Sequence, residues 1–147
     1  HQQEELSLFE LRRNNVIVTD LPELLPLITK NVDENKQILK GEVDIRSLQW
    51  GSGARDCKDK PDVLLMSECV YYEESIQPLV QTMTDLSGPR TETLLSYEVR
   101  DNEANARTLA KFLELTKKKF LVEEVPLEDH HPEFRSEDIH ILKLFRK

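Results

Sequence analysis

The sequence predicts an α/β fold, a mostly parallel sheet covered by helices with an antiparallel strand pair at its C-terminal end. Two observations carry this. Short apolar, often β-branched runs alternate with segments of helical apolar spacing along the 147 residues. The last two runs, FLVEEVPL and DIHILKLF, are joined only by the polar loop around EDHHPEFRSED, with no helix between them, so they are expected to pair antiparallel.

The elements follow in order. In residues 1–15, HQQEELSLFELRRNN, the residues Leu6, Phe9 and Leu11 fall loosely on one side of a short amphipathic helix. VIVTD, Val16 to Asp20, is a β-branched run ending in an acid and reads as the first strand. Leu21, Leu24, Leu25, Ile28 and Val32 then fall at i, i+3, i+4, i+7 and i+11, the stripe of a helix. Pro22 suits its first turn, where the missing N–H costs nothing; Pro26 is less comfortable there. EVDIRSLQW, Glu42 to Trp50, reads as a second strand, and Asp62 to Ser67, after the polar loop Gly51 to Lys60, as a third and buried one. Ile76, Leu79, Val80 and Met83 mark the next helix, which Gly88-Pro89 stops. TLLSYEV, Thr93 to Val99, is a fourth strand, and Leu109, Phe112, Leu113 and Thr116 outline a third helix. The predicted order is strand–helix–strand–strand–helix–strand–helix–strand–strand, without repeats or low-complexity segments.

Charged residues make up 33% and hydrophobic ones 38%, the balance of a soluble globular chain long enough to bury a core. A net charge of -8 argues against nonspecific nucleic-acid binding, which needs a clustered basic face. The basic run Lys117 to Lys119 reads as a solvated helix end. Cys57 and Cys69 lack metal-ligand spacing and are expected to be thiols in a reducing compartment, which points to the cytoplasm. No apolar run approaches the roughly 18 residues of a membrane span. The start at His1 rather than Met fits a fragment or a processed product.

A few residues offer chemistry. Asp20, at the end of the first strand, fits either an acid that binds ribose hydroxyls or the N-cap of the following helix. Trp50 fits either a stacking platform for adenine or core packing. In MSECVYYEES, Glu68 and Tyr71 stand just beyond a buried strand, where α/β sheets present their chemistry. A carboxylate and a phenol there could hold a cationic amine; the alternative is a helix-capping acid and a half-buried tyrosine. His130 and His131, with Asp129 and Glu133, fit a solvated loop better than a metal site. Neither a G-x-S-x-G elbow nor a Walker loop is present, so hydrolase and kinase readings lack support.

Five stretches together, VIVTDLPEL, SLQWG, MSECVYYEES, SYEVR and FRSEDIHI, resemble the methyltransferase-like 21 family of protein-lysine methyltransferases, in the seven-strand, S-adenosylmethionine-dependent class. The resemblance runs from about Val16 to the C-terminus, with ECVY and RSEDIHI its most specific parts. It implies a Rossmann-like seven-strand sheet and transfer of methyl groups from S-adenosylmethionine to a lysine of a partner protein. The expected partner is the hexameric ATPase valosin-containing protein.

Residue by residue, the resemblance gives Asp20 the ribose hydroxyls and Trp50 and Ser67 the adenine and methionine ends of the cofactor pocket. Glu68 and Tyr71 would form the family's acid-x-x-aromatic motif beside the methyl donor, with Tyr72 close by. Glu replaces the usual Asp of that motif, which shifts the carboxylate by a methylene and keeps its charge. No metal is implied. The family's first strand and glycine-rich turn should precede VIVTD, yet residues 1–15 contain no glycine. The expected organisation is therefore a divergent segment, 1–15, and a partial methyltransferase domain, 16–147, that lacks the opening strand–loop–helix unit. A chain of this kind is expected to bind cofactor weakly and to self-associate, and a noncatalytic product that keeps only a partner-binding surface is the alternative.

Overall fold

The structure, a computed structural model, describes residues 15–147. The helix expected within the first fifteen residues lies outside the described residues. The chain divides into two compact units, 1–49 and 50–147.

In the first unit, β1 (Val16–Asp20) and β2 (Val43–Ser47) pair parallel, in register from Val16 opposite Val43 to Asp20 opposite Ser47. Between them runs α1 (Leu25–Glu34), entered through a single 3₁₀ turn at Pro22–Leu24. This turn removes the discomfort expected of Pro26. The α-helix starts only at Leu25, so Pro26 lies in its first turn, where its N–H would have no partner anyway. Leu25, Ile28 and Val32 are half-buried, while Leu21 and Leu24, ahead of the helix, stay exposed. The second strand stops at Ser47, short of the expected Trp50. The physical reason is that its partner β1 ends at Asp20, opposite Ser47, so the ladder closes with the Leu48 N–H on the Asp20 carbonyl at 3.0 Å.

In the second unit the elements are β3 (Val63–Ser67), α2 (Ile76–Leu86), β4 (Glu92–Glu98), α3 (Glu103–Lys117), β5 (Phe120–Glu124) and β6 (Ile139–Arg146). Its sheet has the order β3-β4-β6-β5. β3 and β4 run parallel, whereas β6 lies antiparallel between β4 and β5. The expected antiparallel pairing of the last two strands is present. The strands form two sheets, β1-β2 and β3-β4-β6-β5. Among the described residues, no strand pairs with both β1 and β3.

The registers put Leu64, Met66, Thr93, Leu95, Tyr97, Leu142, Leu144, Phe120 and Val122 on one face of the larger sheet. This is the core face. Leu95, Leu142, Leu144 and Phe120 meet Ile76, Leu79, Val80 and Met83 of α2 and Phe112 of α3. Burying each such side chain contributes about 1.5–3 kcal/mol, which makes this face the main source of stability. Across the pleat, Val63, Leu65 and Leu121 are 46%, 50% and 57% exposed, so the other face is open among the described residues. The third strand, expected to be buried, is therefore covered on one face only, because it stands at the end of its sheet.

α3 begins at a well-formed cap, where Asn102 accepts a hydrogen bond through Oδ1 from the Asn105 N–H at 2.8 Å. No described helix is long and apolar enough to cross a membrane.

Candidate active site

The parallel strands β3 and β4 end side by side. Ser67 is the last residue of β3 and pairs with Ser96 of β4, whose hydroxyl donates to the Ser67 hydroxyl at 3.1 Å. The Glu68 N–H then bonds the Ser96 carbonyl at 3.2 Å, carrying the ladder one residue further. There the chain breaks away. Glu68 has φ 52°, in the left-handed region that a non-glycine residue occupies at a cost of roughly 1–3 kcal/mol. Among the described residues it is the non-glycine residue with positive φ.

The bend aims the Glu68 carboxylate along the strand ends. Arg100, just past β4, donates from Nη2 to Glu68 Oε2 at 3.5 Å and places Nε 3.5 Å from Glu98 Oε2. After Glu68, Cys69 donates through Sγ to the Ser67 carbonyl at 3.3 Å, and Val70 is buried in the core. Val70 is thus the anchor that leaves its neighbours outside. Tyr71 and Tyr72 remain 49% and 60% exposed, their rings edge to face with centroids 4.7 Å apart. The chain then enters a 3₁₀ turn at Glu73–Ser75 that leads into α2.

A carboxylate followed within four residues by two accessible phenol rings suits a cationic amine, which gains from negative charge and from aromatic faces. The capping alternative for Glu68 is not what the structure shows. The following 3₁₀ turn is capped at Tyr72 and α2 at Ser75, neither with a side-chain cap.

Trp50 belongs to the same unit and is half-buried against its core. Gly51 fixes its position. The Gly51 N–H donates to Thr82 Oγ1 of α2 at 2.8 Å, and a Cβ at Gly51 would stand 3.3 Å from Pro78 Cβ. Asp20 stands in the first unit, half-buried at the C-terminal end of β1. Its Oδ1 accepts from the Leu21 N–H at 2.7 Å, and the 3₁₀ turn that follows has Leu21, not Asp20, as its cap.

The histidine loop departs from expectation. His130 is not solvated: it is 8% exposed, with Nε2 3.1 Å from the Val125 carbonyl. His131 stacks on Phe134 and accepts through Nδ1 from the Glu133 N–H. Among the described residues no group of three or more His, Cys, Asp or Glu is placed to hold a metal ion. Arg100 and its brace Asn105 were missed by sequence reasoning. Their signal is the adjacency of β3 and β4, which spacing along the chain does not reveal.

Residues 5–119 match the family model described as lysine methyltransferase, so the match begins ahead of VIVTD. The protein N-lysine methyltransferase METTL21A of Danio rerio is 33% identical over 132 residues, covering 88% of this chain and 55% of that protein. EEF1A lysine methyltransferase 3 of Xenopus tropicalis is 32% identical over 93 residues, covering 63% of this chain and 41% of that protein. Among solved structures, a TehB-like SAM-dependent methyltransferase from Corynebacterium glutamicum superposes with a TM-score of 0.58 at 10% identity, covering 99% of this chain and 87% of that one. The likeness establishes the Rossmann-like methyltransferase fold. The chain spans about half the length of the curated relatives it matches. With the family model matched over most of its length, the chain belongs to the lysine methyltransferase family.

Proposed function

We propose that this chain serves S-adenosylmethionine-dependent transfer of methyl groups to a lysine of a partner protein. The observation that carries the reading is Glu68. In a chain of this family, an acid held at positive φ beyond a parallel strand stands three residues before an accessible tyrosine.

Glu68 would receive the lysine ammonium and set its approach, and Tyr71 would wall the amine and exclude water from it. Packing against the Tyr71 ring would strip water from the amine and favour the uncharged form that attacks, and the proton leaves to solvent. Trp50, Ser67 and Tyr72 would hold the cofactor, and their side chains fit such a group: a half-buried indole, a hydroxyl at a strand end and an exposed phenol. The ribose role of Asp20 rests on the resemblance of VIVTDLPEL alone. When bound, the cofactor supplies a sulfonium methyl: the N–C bond forms as the C–S bond breaks, and the electron pair goes to sulfur. The contribution of the protein is alignment, which reaches effective molarities of about 10⁵ M or more.

Valosin-containing protein is the substrate we propose, on the resemblance in MSECVYYEES and FRSEDIHI. The name of one matched relative makes EEF1A the comparison substrate. The same proposal places the chain in the cytoplasm. The test is incubation with methyl-labelled S-adenosylmethionine and each substrate, followed by mass mapping of the modified lysine. It is run on the 147-residue chain and on a version extended with the corresponding N-terminal part of METTL21A. Label on a lysine of valosin-containing protein supports the full proposal, and label on EEF1A alone reassigns the substrate. No transfer by either version refutes the reading.

A further inference from the structure

Arg100 is held more firmly than a surface arginine needs to be. Its backbone N–H donates to Asn105 Oδ1 at 3.2 Å, and its carbonyl accepts from the Asn102 N–H at 2.8 Å. Asn102 in turn caps α3 through the Asn105 N–H. The residue is therefore braced on the first turn of a 15-residue helix. From that base its guanidinium spans two carboxylates, Glu98 and Glu68, each at 3.5 Å.

Stability does not account for the arrangement. All three side chains are about half exposed, and such ion pairs contribute little to folding. Glu68 gives the contact a different meaning. Its backbone is committed to a strained bend, but its side chain has more rotatable bonds than an aspartate and would otherwise sample several positions. Arg100 restricts it from one side, and Glu98 keeps the guanidinium in place when Glu68 engages another cation.

We propose that Arg100 is the positioning residue for Glu68, fixing the carboxylate that receives the substrate lysine. This rests on the function proposed above. Misplacing a reacting group by 1 Å can cost roughly 10²-fold in rate, so a loosened Glu68 is felt in turnover.

The test pairs a readout that needs no catalysis with one that does. On the 147-residue chain, NMR relaxation of the Glu68 side-chain methylenes is compared between wild type, Arg100→Ala and Arg100→Lys. The proposal expects Glu68 order to fall in Arg100→Ala and to recover in part in Arg100→Lys, with the melting temperature unchanged. In the methyl-transfer assay, Arg100→Ala should lower kcat about tenfold, a fraction of the misplacement limit, with KM for S-adenosylmethionine unchanged. In a Glu68→Gln background the same substitution should cost nothing further. Lower Glu68 order in Arg100→Ala, with a wild-type protein that transfers no methyl group, would support the positioning role while refuting the functional reading. Unchanged Glu68 order, unchanged turnover in an active enzyme, or an equal loss in the Glu68→Gln background would overturn the proposal.

Discussion

Tyr97 lies face to face with His140, their ring centroids 5.3 Å apart and their planes 13° from parallel. The two residues are direct partners across the β4–β6 ladder. His140 Nδ1 in turn stands 2.5 Å from Glu124 Oε1 on β5. Burial of the phenol, and secondarily the Glu124 carboxylate, raise the Tyr97 pKa above its ordinary 10.0. The folded state therefore keeps this phenol protonated at pH values where the unfolded chain has begun to lose its proton. The stabilisation is fully present below the unfolded pKa of about 10 and is lost as pH rises through the higher folded value. Denaturation midpoints between pH 8 and 11 should fall more steeply for wild type than for Tyr97→Phe. Equal slopes would remove Tyr97 from the alkaline transition.

Two buried hydroxyls should be replaceable at a gain. Thr93 on β4 and Thr116 on α3 are both fully buried, and neither Oγ1 finds a hydrogen-bond partner among the described residues. Valine keeps the shape and removes the unmet polar group, whose burial costs roughly 1–3 kcal/mol. Thr93→Val and Thr116→Val should each raise stability by about 1 kcal/mol in urea denaturation. A loss of stability would mean that these hydroxyls bind something else, such as an internal water.

Much of the fold was legible because its signals are local. VIVTD matched β1 residue for residue, and the helical apolar stripes located α2 and α3. The overrun of β2 to Trp50 has another cause: β1 ends at Asp20 and leaves the residues after Ser47 without a ladder partner, which apolar patterning does not show. The separation into two sheets depends on which strands find neighbours, which alternation along the chain does not encode. The site divides in the same way. Glu68 and Tyr71 were visible as an acid and a ring after an apolar run. The strained φ of Glu68 and its link to Arg100 depend on β3 and β4 ending together. His130 was misread as solvated because a polar loop sequence does not show a ring folded back onto the Val125 carbonyl.

Trp50 offers an optical test of cofactor binding. It is the single tryptophan, half-buried against the core beside a turn that Gly51 holds to α2. If its indole stacks on the adenine, S-adenosylmethionine should quench or shift its fluorescence. Trp50→Ala should then weaken binding by about 1–3 kcal/mol, by analogy with base–aromatic stacking. A silent spectrum in a protein that binds the cofactor by calorimetry would assign Trp50 to packing alone.

The proposed roles of Glu68 and Tyr71 are tested most directly by methyl transfer from labelled S-adenosylmethionine to the partner protein, with Glu68→Ala and Tyr71→Ala compared with wild type. Both side chains are about half exposed and outside the core, so far-ultraviolet circular dichroism and melting should be nearly unchanged. Each substitution should abolish most of the lysine methylation while the fold survives. Near-normal methylation by either folded variant would contradict those roles.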